Sequence, residues 1–278
     1  MTINCKGNLI DLSKPKVMGI LNVTPDSFFD GGKYNSTDLA VIRTEQMLKE
    51  GADFIDIGAY SSRPGAKDIT EDEEVKRLFM LQEIAKRFPE ALISIDTFRS
   101  KVARFAVENG ACIVNDISAG NFDAAMFATV AELQVPYIAM HMQGKPETMQ
   151  NNPTYSDNGV TVEVVKELSK VESHLNLLGV NDIILDPGFG FGKTVQNNYQ
   201  LLRELDHLHI LKCPILVGVS RKSMINKILK INQKDSINGT TALHMKALEN
   251  GANILRVHDV REAKEAIQLH AAYHGEFD

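Results

Sequence analysis

The sequence predicts a single (β/α)8 (TIM) barrel with its active site at the C-terminal ends of the strands. Three observations predict it. Short aliphatic runs alternate with longer amphipathic stretches along the whole chain, the pattern of βα units around a parallel sheet. The length of 278 residues suits one barrel, which typically takes roughly 250. Polar groups follow the aliphatic runs with regularity, as expected if the run ends share one face.

Eight strands are expected, at 17–21, 54–57, 92–95, 112–114, 137–140, 183–185, 215–217 and 254–257. Each is short, apolar and bounded by turn formers, as a strand buried on both faces requires. The stretches with helical periodicity are 38–50, 71–87, 101–109, 124–133, 160–178, 197–205, 240–250 and 261–273. An internal similarity supports the count. Glu-Gly-Ala-Asp-Phe-Ile from Glu50, Asn-Gly-Ala-Cys-Ile-Val from Asn109 and Asn-Gly-Ala-Asn-Ile-Leu from Asn250 each read as helix end, glycine cap and buried strand. Gly51, Gly110 and Gly251 suit that cap because glycine takes a left-handed conformation without a side-chain penalty. No Pro/Ser/Gly-rich linker interrupts residues 1–278, which favours one domain; a doubly wound open sheet is the structural alternative.

Composition narrows the function classes. Hydrophobic residues make up 44% and charged residues 24%, enough apolar material for a core and too much for disorder. A formal net charge of −6 gives no broad basic surface, so nucleic acid and anionic membranes are poor partners. Any anionic ligand must meet a local positive site. The first residues lack the apolar segment of a signal peptide and no run approaches spanning length, so a cytoplasmic location is expected. Cys5, Cys112 and Cys213 form no CxxC pair or zinc-type cluster and read as buried or incidental thiols.

The strand ends deliver the candidate chemistry. They are followed by Asn22, Ser61-Ser62-Arg63-Pro64, Asp96, Asn115-Asp116, His141, Asp186, Ser220-Arg221-Lys222 and Arg256-Val257-His258. Asp186-Pro-Gly-Phe-Gly-Phe-Gly-Lys193 superficially suggests a phosphate loop, but Pro187 stands where that loop needs its first glycine. Its glycines instead suit close passage of backbone beside a flat ligand, with Phe189 or Phe191 available for stacking. Around Ser220-Arg221-Lys222-Ser223, two cations and a helix start converge after the seventh strand, an anion site in outline. Asp96, Asn115 and Asp186 end three apolar strands. Helix capping or ion pairing is the common fate of such groups, but three acceptors facing one cavity suit a heterocycle with several N–H donors.

The motifs MGILNVTPDSF, SSRPGA, SIDTF, VNDIS, ILDPGFGFGK, VGVSRKS, GTTA and RVHDV run in order between Val17 and Val260. In this set and order the chain resembles the dihydropteroate synthases, pterin-binding barrel enzymes of folate biosynthesis. The resemblance implies condensation of 6-hydroxymethyl-7,8-dihydropterin pyrophosphate with p-aminobenzoate to 7,8-dihydropteroate and pyrophosphate. It also implies that Asp96, Asn115, Asp186 and Lys222 hold the pterin edge, with Phe191 and Met140 against its ring. Arg63, Arg256 and His258 then match the pyrophosphate site, and Phe28, Ser62, Pro64, Lys222 and Ser223 the p-aminobenzoate pocket. Asn22 matches a magnesium-linked asparagine, so Mg2+ is the expected cofactor, arriving with the substrate's phosphate oxygens. The groups expected to act in catalysis are Asn22, Asp96, Lys222, Arg256 and His258. A homodimer and a sulfonamide-binding pocket are further implications.

An arylamine is a weak nucleophile, so early loss of pyrophosphate followed by amine attack is the expected route, with leaving-group stabilisation carrying much of the catalysis. If Arg256 serves the leaving group alone, its truncation should weaken the pyrophosphate-bearing substrate and spare free pterin. The chain departs from the family at Tyr60, where a glutamate is usual before the arginine loop, and at Ser62, which keeps the hydroxyl of the usual threonine. Two other readings compete: a non-catalytic pterin-binding relative, and a pterin-dependent methyltransferase, which would not need pyrophosphate-binding residues.

Overall fold

A computed structural model describes residues 1–23, 36–61, 68–146, 148–149 and 153–277. The chain opens with an antiparallel hairpin, β1 (Thr2–Cys5) and β2 (Asn8–Asp11), turned at Lys6 and Gly7, both with positive φ. The barrel units follow as β3 (Lys16–Asn22), α1 (Ser36–Lys49), β4 (Phe54–Gly58), α2 (Glu71–Arg77), α3 (Leu81–Arg87), β5 (Leu92–Asp96), α4 (Ser100–Glu108), β6 (Ile113–Asp116) and α5 (Met126–Leu133). The second half continues as β7 (Tyr137–Met140), α6 (Val160–Leu177), β8 (Ile183–Asp186), α7 (Val195–Arg203), β9 (Leu216–Val217), α8 (Ser223–Leu229), α9 (Ile237–Glu249), β10 (Ile254–Val257) and α10 (Val260–Tyr273).

The eight later strands are all parallel, in the order β8-β7-β6-β5-β4-β3-β10-β9. A bridge between Leu185 and Ile215 joins the two outer strands and closes the cylinder. The expected (β/α)8 barrel is therefore the fold, and the open-sheet alternative is excluded. All eight expected strands are present. Five of them run one or two residues further at the C-terminal end, taking in Asn22, Gly58, Asp96, Asn115-Asp116 and Asp186.

Three differences from the expected elements have physical causes. The hairpin was not expected; its apolar face, Ile3 and Cys5 with Leu12, packs against Met18, Phe54 and Ile254 and seals the barrel floor. The helix expected at 71–87 is broken by a 3-10 turn, Leu78–Met80, which buries Leu78 and Met80 while Phe79 stays outside. Helix α7 starts two residues early because Thr194 forms a capping box with Asn197. The glycine caps are as expected: Gly51, Gly110 and Gly251 have φ of +97°, +115° and +86°. In each, the next alanine N–H donates back to the last helical turn, to Met47, Ala106 and Ala247, at 2.9 Å, the Schellman closure.

Period-two alternation divides every barrel strand between two environments. Val17, Ile55, Ile57, Ile93 and Leu255 face the helices in the larger core. The alternate residues Met18, Phe54, Ile113, Ile184 and Ile254 fill the interior above the hairpin. Continuing that inward phase toward the strand C-termini gives Asn22, Asp56, Asp96, Asn115, Asp186 and Arg256. The interior thus changes from a dry floor to a polar mouth along its axis. Among the described residues, no helix is long and apolar enough to cross a membrane.

Candidate active site

The centre of the polar mouth is an ion-pair cluster spanning three strands. Arg256 on β10 donates from Nε to Oδ2 of Asp56 on β4 at 2.6 Å, and from a terminal nitrogen to Oδ2 of Asp96 on β5 at 2.7 Å. Asn115 on β6 donates from Nδ2 to the same Asp56 oxygen at 3.1 Å, while Asp56 Oδ1 is buried with no hydrogen-bond partner. Burial pushes the Asp96 carboxyl up to about 7, against the pull of the Arg256 guanidinium and with the push of Asp56. Arg256 remains a firm cation, held charged by Asp56 and Asp96 despite its burial. The guanidinium therefore does not face the mouth alone; it is shared with the carboxylate expected to hold pterin.

Asp186, at the end of β8, accepts from the Gly188 N–H at 2.7 Å. Burial raises its pKa and the Lys222 ammonium opposes that rise. Lys222 caps α8, donates to the Phe189 carbonyl and lies 4.9 Å over the Phe191 ring. Burial brings its pKa down to about 8, moderated by Asp186. Met140 packs beneath the same loop, and Gly58 lies between Asn22 and Asp96: a Cβ there would sit 3.7 Å from Asn22 Oδ1 and 3.4 Å from Asp96 Cβ. The Ser220 hydroxyl accepts from the His258 backbone N–H at 3.2 Å and stands 3.1 Å from Nδ1 of the same residue.

The structure thus gathers Asn22, Asp96, Asn115, Met140, Asp186, Phe191, Lys222, Arg256 and His258 at one end of the barrel. Phe28, Ser62, Arg63 and Pro64 lie outside the described residues. Ser223 is exposed at the first position of α8.

Four expectations need correction. Arg221, expected to join Lys222 at an anion site, is bonded through two nitrogens to Asp259, at 2.8 and 2.6 Å. Phe189 is fully buried in the helix-facing core, so only Phe191 is available to a ligand. Asp116 faces away from the mouth and accepts from Tyr137, Ser118 and Gly120, because it falls in the outward phase of β6. The glycines of the β8 loop mostly serve protein contacts: a Cβ on Gly188 would lie 1.9 Å from the His141 carbonyl, and one on Gly192 2.5 Å from that of Gln143. Only Gly190 faces the site, with Lys222 Cδ at 3.3 Å from such a Cβ.

Two residues of the site were missed. Asp56 is the lone charge in a strand otherwise apolar, and its phase with Phe54 is the signal that aims it inward. Lys193 ends the motif ILDPGFGFGK, but nothing in the sequence gives its side chain a role. The unusual Tyr60 stacks edge-on against Phe98 at 4.9 Å, with the Arg99 guanidinium 5.4 Å over its ring. Arg99 also pairs with buried Glu74 at 2.6 Å and donates to the Ile69 carbonyl at 2.7 Å.

Residues 18–258 match the model of a family described as pterin binding enzyme. The dihydropteroate synthase of Escherichia coli K12 is 43% identical over 272 residues, 97% of this chain and 95% of that protein. The chain belongs to the dihydropteroate synthase family. Solved members of the family share its shape. The Yersinia pestis dihydropteroate synthase in a sulfonamide drug complex superposes with a TM-score of 0.92 at 40% identity, covering 99% of this chain and all of that one. The Xanthomonas albilineans dihydropteroate synthase in complex with 7,8-dihydropteroate does so with a TM-score of 0.88 at 34% identity, covering 99% of each chain. Membership makes the chain a pterin-transferring enzyme of folate synthesis.

Proposed function

We propose that this enzyme joins 6-hydroxymethyl-7,8-dihydropterin pyrophosphate to p-aminobenzoate, forming 7,8-dihydropteroate and releasing pyrophosphate. The observation that carries the reading is the meeting of Asp96, Asn115 and Asp186 with the cations of Lys222 and Arg256 in one mouth. Acceptors suit the N–H edge of a pterin, and the Arg256 cation suits the departing pyrophosphate. In this reading Asp96, Asn115, Asp186 and Lys222 bind the pterin, with Phe191 and Met140 on its faces. Arg63, Arg256 and His258 take the pyrophosphate, and Phe28, Ser62, Pro64, Lys222 and Ser223 form the p-aminobenzoate pocket.

The bond from the pterin methylene carbon to oxygen breaks first, its electron pair leaving with pyrophosphate, and the dihydropterin ring stabilises the cation. The arylamine lone pair then forms the carbon–nitrogen bond, and the nitrogen loses its proton to solvent. Cations at the leaving group lower the first barrier, because they are fixed before charge develops.

Mg2+ fits as a companion of the substrate. Among the described residues no cluster of three or more His, Cys, Asp or Glu could cage a metal. The neutral Asn22 amide at the mouth suits an ion whose other ligands are phosphate oxygens and water. Bound there, it would neutralise charge on the leaving pyrophosphate. We further infer, from family resemblance, a cytoplasmic homodimer whose one domain spans residues 1–278. Mixing both substrates with Mg2+ should release pyrophosphate in step with dihydropteroate; pterin binding without pyrophosphate release would leave only a binding protein.

Asp96 and Lys222, two shifted groups assigned to the pterin, predict a bell-shaped pH profile for kcat/KM on the pterin substrate. Below about pH 7 Asp96 takes up a proton and accepts N–H bonds poorly; above about pH 8 Lys222 loses its charge. Efficiency should therefore rise through about 7 and fall through about 8. Asp96→Asn should flatten the acid limb while weakening pterin by about 1–3 kcal/mol, and Lys222→Met should flatten the alkaline limb. Retention of the acid limb in Asp96→Asn would assign that limb to another group.

A further inference from the structure

The Gly192-Lys193 pair has no part in the reaction as derived, yet Lys193 is only 3% exposed beside the site. Its ammonium lies 2.9 Å from the Gly188 carbonyl, 3.1 Å from the Phe191 carbonyl and 2.9 Å from Nδ1 of His141. The His141 carbonyl lies at 3.4 Å as well, so four acceptors surround the ammonium and favour its charged form against burial, which brings its pKa down to about 7. An imidazole that accepts through Nδ1 carries its proton on Nε2, and Nε2 of His141 stands 3.2 Å from Oε2 of Glu167 on α6. Burial lowers the His141 pKa, which agrees with a neutral ring in this tautomer. The contacts run without a gap from Glu167 through His141 to Lys193 and the loop carbonyls.

The other side of the same loop faces the substrate groups. The Gly188 N–H donates to Asp186, the Phe189 carbonyl accepts from Lys222, and the Phe191 ring lies against the Lys222 ammonium. Residues 188–191 are therefore gripped from behind by one lysine and present their contacts forward to another. Gly188 and Phe191, both bonded to Lys193, are two of the residues that meet Asp186 and Lys222.

We propose that Lys193 is a positioning residue for pterin binding, and that the Glu167–His141–Lys193 relay holds the 188–191 turn in the shape that orients Asp186 and Lys222. The proposal rests on the reading of Asp186 and Lys222 as pterin contacts. A buried ammonium stripped of these carbonyls would be costly, and carbonyls stripped of the ammonium would turn elsewhere for partners, so the turn and the lysine stabilise one conformation together.

Calorimetry with 6-hydroxymethylpterin separates this role from a merely structural one. Lys193→Met should weaken pterin by about tenfold or more in Kd with the binding stoichiometry retained, on the scale of a lost charged hydrogen bond. A purely structural role would lower stoichiometry and thermal stability but leave Kd unchanged in the molecules that fold. Glu167 has a side chain 58% exposed, so its variants test the relay without risk to folding. Glu167→Ala should weaken pterin by about threefold and Glu167→Gln should restore it, because the amide oxygen still accepts from Nε2. Unchanged Kd in Lys193→Met, or equal Kd for the two Glu167 variants, would overturn the proposal. Absence of pterin binding by the unsubstituted enzyme would instead overturn the function on which it rests.

Discussion

Arg256→Ala is expected to cost about 3–5 kcal/mol of folding stability, the scale for removing one partner of a buried ion pair. The guanidinium now separates and neutralises Asp56, which is fully buried, and Asp96. Without it two carboxylates face each other in the barrel interior. The variant can relieve this by keeping a proton on Asp96, whose pKa stands at about 7 even with the arginine present. An Asp whose folded pKa exceeds its unfolded value loses stability as pH rises from the unfolded toward the folded value. With Arg256 gone the folded value moves higher still, so the deficit should be larger at pH 8 than at pH 6. Urea denaturation at the two pH values checks the sign. Free pterin and pterin pyrophosphate should both bind more weakly, since Asp96 is the shared contact. Loss confined to the pyrophosphate ligand, as expected if Arg256 served the leaving group alone, together with unchanged stability, would show that the cluster does not support the pocket.

Gly188→Ala is expected to weaken pterin on the order of a hundredfold and to cost about 1–3 kcal/mol of stability. Gly188 has φ of +70°, and an added methyl would sit 1.9 Å from the His141 carbonyl oxygen. That carbonyl cannot retreat easily, because the His141 N–H is bonded to the Asp186 carbonyl at 2.9 Å in the ladder between β7 and β8. The loop must move instead, and with it go the N–H that orients Asp186 and the carbonyl that Lys193 holds. Gly190→Ala is the contrast: its φ of +83° strains it too, but the nearest atoms to its methyl belong to the flexible Lys222 side chain, at 3.3 Å. Stability should fall further for Gly188→Ala than for Gly190→Ala in thermal unfolding. Wild-type pterin affinity in Gly188→Ala would mean that the turn can shift without disturbing Asp186.

The strands, the glycine caps and the end of the barrel that carries the site were legible because their determinants are local. A strand buried on both faces must be apolar over four or five residues, and a helix that turns back into a strand needs its left-handed residue at one position. Apolar runs end before the strands do because the backbone ladder continues through polar residues wherever the barrel mouth solvates them, as at Asn115 and Asp186. The hairpin of Thr2–Cys5 and Asn8–Asp11 was illegible for the opposite reason: its few apolar residues acquire a purpose only against a floor assembled from distant strands.

Local pattern is enough to specify the barrel, the family and the set of polar groups that meet at its mouth. Tertiary structure alone decided who holds whom. Arg256 reaches Asp56 across 200 positions of chain, Arg221 turns to Asp259 instead of the mouth, and Lys193 closes on His141 across 52 positions. Periodicity states which way a side chain points from its own element. The partner it finds depends on strand order, closure of the cylinder and which buried charge is otherwise uncompensated, and those are properties of the assembled barrel.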